Sequence, residues 1–153
     1  MKRLTLLPII AVLLAAGPAV AYGAEQAGEK DRQKVLGIGG FFFRAEHPGR
    51  LAQWYERYLG IAPVPANYGQ RPWAQEGGPT VFAPFAKNTT YFGGRDQAWM
   101  VNFRVSDLKA MVRQLRAAGI AVEDPKSYPN GDFARLHDPE GNPIELWQPR
   151  EPR

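Results

Sequence analysis

The feature of this sequence that most restricts its possible folds is an internal repeat. The stretch FFRAEHPGRLAQWYERYLGIAPV, which begins at Phe42, has a counterpart in NFRVSDLKAMVRQLRAAGIAV, which begins at Asn102. Both stretches carry a Phe-Arg pair near the start and Gly-Ile-Ala near the end. Self-similarity of this kind indicates one supersecondary unit used twice. The chain is therefore expected to contain two modules built on one plan, at about 35–95 and 96–149.

Each copy opens with the pattern of a strand and continues with the pattern of a helix. In the second copy, apolar residues at every other position precede a helical repeat that lies between a capping residue, Ser106 or Asp107, and Gly119. In the first copy, an equivalent helical repeat ends at Gly60. Short strands are predicted after each helix, at 80–85 in the first copy and at 133–137 and 144–147 in the second.

The first 21 residues have the layout of a secretory signal peptide. A cationic start is followed by an apolar run, which Pro8 and Gly17 interrupt, and by a small-residue site that ends at Ala21. The run is too short and too broken for a comfortable transmembrane span. We expect a secreted or periplasmic protein with no membrane association after cleavage. The expected organisation is a signal peptide at 1–21, a flexible linker at 22–34, one domain at 35–149 and a short tail at 150–153.

Charge and cysteine content exclude several classes of function. Removing the signal peptide, which contains Lys2 and Arg3 and no acid, lowers the formal net charge from +4 to +2. Because no dense basic run remains, a nucleic-acid partner is not expected. The sequence contains no cysteine, which excludes disulfides, thiolate nucleophiles and thiolate metal ligands.

Three motifs carry a resemblance to a known family: FFFRAEHPGRLAQWYERYLGI, MVNFRVSDLKAMVRQLRAAGI and HDPEGNPIELWQP. In this order on a duplicated frame, they resemble the vicinal oxygen chelate superfamily, which includes glyoxalases, extradiol dioxygenases and the fosfomycin- and bleomycin-resistance proteins. The resemblance implies an α+β fold in which paired βαβββ modules form a mixed sheet curled around a cleft. It also implies a small-molecule ligand and a homodimer.

Metal-using members of this superfamily place their ligands on the first and last strands of each module. The matching positions in this chain are Gly40, Met100, Val81 or Phe82, and Glu145. Only Glu145 has a suitable donor, and one carboxylate is too few for a tight zinc or octahedral site. We therefore expect no metal and no other cofactor, with a divalent metal as the alternative.

Strand alternation predicts which side chains line the cleft. If Val101 and Phe103 face the helix, Asn102 and Arg104 face the cleft, and Glu145 faces it for the same reason. An arginine fork, from Arg44 or Arg104, is expected to satisfy Glu145, which is also a weak catalytic candidate. The alternative is that both arginines form structural ion pairs. The predicted ligand-binding residues are Phe42, Arg44, Trp99, Asn102, Arg104, Glu145 and Trp147.

The two histidines and one aromatic segment are not expected to take part in catalysis. His47 lies where a helix begins, so a capping or surface role is expected instead of catalysis, and His137 precedes a turn, so a turn role is expected there. The segment PTVFAPFAKNTTYFGG places Tyr91 and Phe92 on a loop that is expected to form a rim or lid of the cleft.

The sequence therefore predicts an exported domain that binds a small anionic or carbonyl-bearing molecule without the usual metal. Whether it is an enzyme stays open. One rival is a metal-dependent glyoxalase-like lyase or dioxygenase that recruits Glu76 or a histidine as a ligand. The other is a noncatalytic interaction module whose cleft is filled with aromatic side chains.

Overall fold

The structure is a computed structural model that describes residues 33–150 and divides the chain into two units at Phe41. The predicted signal peptide, nearly all of the linker and the end of the tail lie outside the described residues. Residues 33–41 of the first unit contain no helix or strand. The described part of the second unit contains α1 (Pro48–Leu59), β1 (Val101–Arg104), α2 (Leu108–Ala117), β2 (Lys126–Tyr128), β3 (Gly131–His137) and β4 (Pro143–Pro149).

The four strands form one mixed sheet in the order β1-β4-β3-β2. β1 pairs with β4 in parallel, whereas β4 with β3 and β3 with β2 pair antiparallel. The second module thus has the predicted strand, helix and three-strand order, and the α+β class is confirmed. β2 is a strand that the sequence pattern did not predict.

Local chemistry favours the start of α2 and the end of α1. The side chain of Asp107 caps α2 by accepting a hydrogen bond from the backbone N–H of Ala110 at 2.8 Å. α1 ends at Gly60, whose φ of 70° lies in the left-handed region. His47 is the N-cap of α1, but its side chain makes no capping hydrogen bond. No helix between residues 33 and 150 is long and apolar enough to span a membrane.

The core lies between the helices and one face of the sheet. Ile144 and Leu146 of β4 have no exposed surface, and Leu115 of α2 has none either. Each such side chain contributes roughly 1.5–3 kcal/mol on burial. Further core residues come from α1 (Leu51 and Tyr55), from α2 (Leu108 and Val112) and from β3 (Ala134 and Leu136).

The first module departs from the predicted plan. It forms α1, but the stretches around Phe42 and over 80–85, which were predicted to be strands, are irregular. Pro79 precedes the second stretch and Pro84 lies within it, and proline cannot donate to a strand ladder. Phe82 is 89% exposed, so no partner strand covers it. Within the described residues the sheet is therefore open, and the predicted curl of two paired modules is not formed.

Candidate functional site

The buried carboxylate of Glu145 is the centre of a hydrogen-bond network on the sheet face opposite the helices. Glu145 is 6% exposed. Its Oε2 accepts from Nδ2 of Asn102 at 2.8 Å, and its Oε1 accepts from the Tyr91 hydroxyl at 3.0 Å and from Nε of Arg135 at 3.1 Å. A buried carboxylate is costly unless it is paired and hydrogen-bonded, and these three donors meet that need.

Strand register brings two of these donors to the carboxylate. Asn102 of β1 lies directly opposite Glu145 in the parallel pair, and Arg135 of β3 lies directly opposite it in the antiparallel pair. Side chains at opposed positions share a face. Asn102, Glu145 and Arg135 therefore form a polar row across three strands.

Tyr91 reaches the polar row from the loop that follows residue 85. The Arg135 guanidinium lies 4.2 Å from the centre of the Tyr91 ring, and its Nη1 donates to the Tyr91 carbonyl oxygen at 3.1 Å. Burial and then the charge of Glu145 raise the pKa of Tyr91, so its hydroxyl keeps its proton and remains a donor. Burial disfavours the charge on Arg135, but its hydrogen bonds with Tyr91 and Glu145 outweigh this and raise its pKa.

A second row of opposed side chains runs beside the polar row. In register, Arg104 lies opposite Trp147, Trp147 opposite Phe133, and Phe133 opposite Lys126. The rings of Phe133 and Trp147 stack with centroids 5.9 Å apart and planes 9° apart. Tyr128 meets Phe133 edge to face at 5.7 Å. We call Trp147, Phe133 and Tyr128 the aromatic row.

A cavity of about 460 Å³, the Glu145 cavity, lies over parts of both rows. Its volume falls within the range typical of small-molecule pockets. Its lining includes Tyr91, Lys126, Tyr128, Phe133, Arg135 and Glu145. A second depression, of about 500 Å³, runs along Val122, Leu136 and His137 and does not include Glu145.

Asp138 organises the turn between β3 and β4. It is 5% exposed, and its Oδ1 accepts from the backbone N–H groups of Glu140 and Asn142 at 2.9 and 3.0 Å. Its Oδ2 accepts from the Tyr55 hydroxyl at 2.9 Å and from Nδ2 of Asn142 at 2.7 Å. Its acceptor positions are therefore filled, and the turn predicted after His137 is present. Burial and then the charge of Asp138 raise the pKa of Tyr55.

Glu140, in the same turn, supplies the cap that His47 does not. Its carboxylate accepts from the backbone N–H of Glu46 at 2.8 Å and from that of His47 at 2.9 Å. An acidic group is favourable at a helix N-terminus because the first N–H groups of a helix lack internal partners. The turn thus fixes α1 to the sheet at Glu140 and, through Asp138, at Tyr55.

The structure brings together part of the predicted ligand-binding set. Asn102 and Glu145 are bonded to each other, and Trp147 is the neighbour of Glu145 on the same face. Phe42 is 91% exposed and Arg44 is also exposed, because the strand predicted to carry them is not formed. Trp99 packs against Phe43 with centroids 5.0 Å apart. None of these last three lines the Glu145 cavity, and neither do Asn102, Arg104 and Trp147, so Glu145 is the one member of the predicted set in its lining.

The predicted fork between Arg104 or Arg44 and Glu145 is not formed. Arg104 donates to the backbone carbonyl oxygens of Glu76 and Gly77, at 2.6 and 3.0 Å. Its register position is opposite Trp147, two residues beyond Asn102, so the place beside Glu145 belongs to Arg135. Gly78 follows these carbonyls, and a Cβ there would lie 1.4 Å from Nη1 of Arg104.

Arg135, Phe133 and Lys126 line the cavity but were not predicted to be site residues. The stretch at 133–137 was predicted to be a strand, and Ala134 and Leu136 within it are the apolar members of an alternating pattern. Extending the alternation argument to this strand would have placed Phe133 and Arg135 on the face of Glu145. Tyr91 was predicted only as a loop residue at the rim.

The groups around Glu145 do not fit the metal that the superfamily resemblance implies. Tyr91, Asn102 and Arg135 all present hydrogens to the carboxylate, and the guanidinium at 3.1 Å repels a cation. Between residues 33 and 150, no three His, Cys, Asp or Glu side chains lie together as a candidate metal-binding group. Oxygen-liganded divalent ions need several donors from the protein, and this site offers one carboxylate already in use.

Comparison with known proteins identifies the family. The family model described as a glyoxalase-like domain matches residues 40–147. The chain belongs to the glyoxalase-like domain family. The predicted resemblance to vicinal oxygen chelate proteins is confirmed by this match. No curated protein with which the chain was compared matches it.

Solved structures show similarity over parts of this glyoxalase-like chain. An antibiotic binding protein from Streptomyces sp. CB03234 is 36% identical, with 35% of this chain and 46% of that chain covered and a TM-score of 0.34. A bleomycin-binding protein complexed with bleomycin is 26% identical, with coverages of 35% and 52% and a TM-score of 0.32. A protein of Bacillus anthracis assigned to the glyoxalase family is 16% identical, with coverages of 69% and 86% and a TM-score of 0.44. The chain thus spans about half the length of the first two proteins.

Proposed function

We propose that this glyoxalase-like domain is exported and binds a small anionic or carbonyl-bearing molecule in the Glu145 cavity, without a divalent metal. The observation that carries the proposal is that both oxygens of Glu145 accept hydrogen bonds, from Tyr91, Asn102 and Arg135. A carboxylate held in this way orients a guanidinium and is not free to bind a metal. Ligand recognition then depends on Arg135 and on the rings around it.

Arg135 provides the donors for the ligand. Its side chain is 31% exposed, and its Nη2 has no hydrogen-bond partner among residues 33–150. Guanidinium N–H groups form strong, charge-assisted hydrogen bonds with carboxylate oxygens and also donate to carbonyl oxygens. Glu145 has a positioning role in this proposal, because it holds Arg135 by Nε and leaves the outer edge of the guanidinium open.

The proposal includes no reaction and no cofactor. Glu76, the metal ligand named for the rival enzyme, has an exposed side chain, and its carbonyl oxygen binds Arg104. The two histidines lie at the N-cap of α1 and at the end of β3. A metal-dependent lyase or dioxygenase would therefore have to assemble its ligands from residues that this fold does not bring together.

Export and self-association are separate parts of the proposal. The sequence layout of residues 1–21 supports export, which fractionation of the producing cells and N-terminal sequencing would test by finding a mature protein that begins at Tyr22. The exposed apolar side chains of Val64, Val81 and Phe82 support a homodimer, because a second copy of the chain would remove them from water. Light scattering on the purified protein is expected to give the mass of two chains.

The ligand proposal is tested with the mature protein after treatment with a chelator. A panel of small carboxylic acids and dicarbonyl compounds is screened by thermal shift, because a ligand that binds only the folded form stabilises it. Dissociation constants of the hits are then measured by titration calorimetry for the wild type, for Arg135→Lys and for Arg113→Ala. Arg135→Lys keeps the charge beside Glu145, and Arg113 is an exposed residue of α2.

We expect hits that bind without metal and that lose about tenfold in affinity in Arg135→Lys, because the lysine lacks the guanidinium fork. Arg113→Ala is expected to bind as the wild type does. Binding that appears only when zinc, nickel, manganese or iron is restored would contradict the proposal. Metal-dependent turnover of a dicarbonyl or an aromatic diol would favour the rival enzyme.

A further inference from the structure

Phe133 and Tyr128 of the aromatic row line the Glu145 cavity, and Trp147 supports Phe133 from the neighbouring strand. The indole N–H of Trp147 donates to the carbonyl oxygen of Asn130 at 3.1 Å, which fixes the ring against Phe133. Gly131 makes this position possible, since a Cβ there would lie 2.4 Å from Nε1 of Trp147. A surface fixed before binding costs little entropy when a ligand packs on it.

Packing within the sheet does not account for the whole row. Trp147 is 8% exposed, as expected of a packed side chain, but Tyr128 is 51% exposed. Phe133 lies between them and lines the cavity. Aromatic faces left open beside a cavity favour a flat apolar ligand, because rings gain from offset stacking beyond their burial.

Two cations bracket Phe133 on the same face. Lys126 is directly opposite Phe133 in the β2–β3 pair, and it forms no ion pair with the described residues. Arg135 is two residues further along β3 and has the open Nη2 described above. Both side chains line the cavity with Phe133.

The acidic groups of the cavity are largely compensated. Glu145 is paired with Arg135, and Asp124 is paired with Arg116 at 2.9 Å. Glu123 is the acid in the lining that forms no ion pair with the described residues, and its backbone N–H donates to the carbonyl oxygen of Arg135 at 2.8 Å. The lining as a whole carries three acids and two cations, so its attraction for an anionic group is local to Phe133, where Lys126 and Arg135 lie.

We propose that the ligand is a planar aromatic carboxylate, with its ring on Phe133 and Tyr128 and its carboxylate between Lys126 and Arg135. This inference rests on the proposed function and narrows its ligand class. Phe133 and Tyr128 select the flat ring, and Lys126 adds a second cation for the acid. A non-aromatic acid keeps the ionic contacts but loses the stacking. An uncharged aromatic compound keeps the stacking but loses the ionic contacts.

Three probes separate these contributions: 2-naphthoate, the uncharged 2-naphthalenemethanol, and the non-aromatic cyclohexanecarboxylate. Dissociation constants are measured by titration calorimetry on the chelator-treated protein at one fixed ionic strength. We expect 2-naphthoate to bind about tenfold more tightly than either matched compound, which corresponds to one charge-assisted contact or one stacked ring.

Variants then show which side chains contact the probe. Lys126→Ala is expected to weaken 2-naphthoate about tenfold without affecting 2-naphthalenemethanol, since only the acid contacts the ammonium. Phe133→Leu keeps an apolar side chain and is expected to weaken both naphthyl compounds by about threefold or more. Lys109→Ala, which removes an exposed lysine of α2, is the control and is expected to bind as the wild type does.

The inference is overturned if 2-naphthoate does not bind, or if it binds no more tightly than either one of the matched probes. It is also overturned if Lys126→Ala and Lys109→Ala have the same affinity for 2-naphthoate. Its failure is distinguishable from failure of the proposed function. A non-aromatic acid that binds without metal and is weakened by Arg135→Lys would leave the proposed function standing and remove the aromatic ligand class. Naphthoate binding that requires a divalent metal would remove the proposed function as well.

Discussion

Replacing Arg135 with methionine removes the counter-charge of Glu145 together with the contacts that Arg135 makes with Tyr91. Methionine has a similar length but no charge or donor. The change removes the bond from Nε to Glu145 at 3.1 Å, the bond from Nη1 to the Tyr91 carbonyl at 3.1 Å, and the stacking on the Tyr91 ring. Glu145 would keep Asn102 and the Tyr91 hydroxyl as donors, but at 6% exposure it would have no counter-charge.

The size of the effect follows from burial. Breaking a fully buried ion pair by removing one partner costs about 3–5 kcal/mol. Arg135 is 31% exposed, so we expect the lower end, about 3 kcal/mol. For a domain of this size that loss lowers the melting temperature by roughly 10 °C. Replacing both partners, in Arg135→Met with Glu145→Leu, removes the buried charge as well and is expected to recover about 2 kcal/mol of the summed single losses.

Urea unfolding, followed by tryptophan fluorescence, gives the free energy of unfolding for the wild type, both single variants and the double variant. Asp124→Ala is the control, because Asp124 is 95% exposed and its ion pair with Arg116 is expected to contribute nothing measurable. A loss below about 1 kcal/mol in Arg135→Met, or single losses that simply add in the double variant, would show that Glu145 does not need Arg135 as its counter-charge.

Three further predictions concern the frame around the site. Gly131→Ala is expected to cost about 2 kcal/mol or more and to shift the Trp147 fluorescence, because the new Cβ would meet the indole and the backbone oxygen of Gln148 at 2.4 Å; unchanged emission and stability would contradict it. Glu140→Ala is expected to cost about 1 kcal/mol, as loss of a helix cap does, measured by urea unfolding. The pKa of Tyr55 is raised in the folded state, so its stabilising effect is complete below the unfolded value of 10.0 and falls as pH rises beyond it. Tyr55→Phe should flatten this alkaline loss in unfolding measured between pH 8 and 11, and an equally steep loss would assign it elsewhere.

The second module was predictable because its local signals agree with its tertiary contacts. Asp107 caps α2 as expected, and Ile144 and Leu146 alternate with Glu145 as expected for a strand buried on one face. The first module gave equally clear helical spacing but weaker strand signals. Phe82 lies in an apolar run that could become a strand only by pairing with a strand distant in the sequence. The residues of the run do not determine whether that pairing forms.

The centre of the site was predictable, but its partners were not. Alternation identified Glu145 and Asn102 as neighbours of one face because it follows directly from the two-residue period of a strand. The choice between Arg104 and Arg135 as the partner of Glu145 depends on strand register and order, which two short apolar runs do not specify. Tyr91 lies on a loop, and a loop has no repeating sequence pattern from which its contact with Glu145 could be predicted.

Glu145 holds Arg135 in the proposed site and is not a metal ligand. Titration of the chelator-treated protein with zinc, nickel, manganese and iron in a calorimeter, for the wild type and for Glu145→Gln, tests this, with analysis of bound metal in each sample. We expect no stoichiometric binding that depends on Glu145. One metal per chain in the wild type, lost in Glu145→Gln while the variant stays folded, would contradict it.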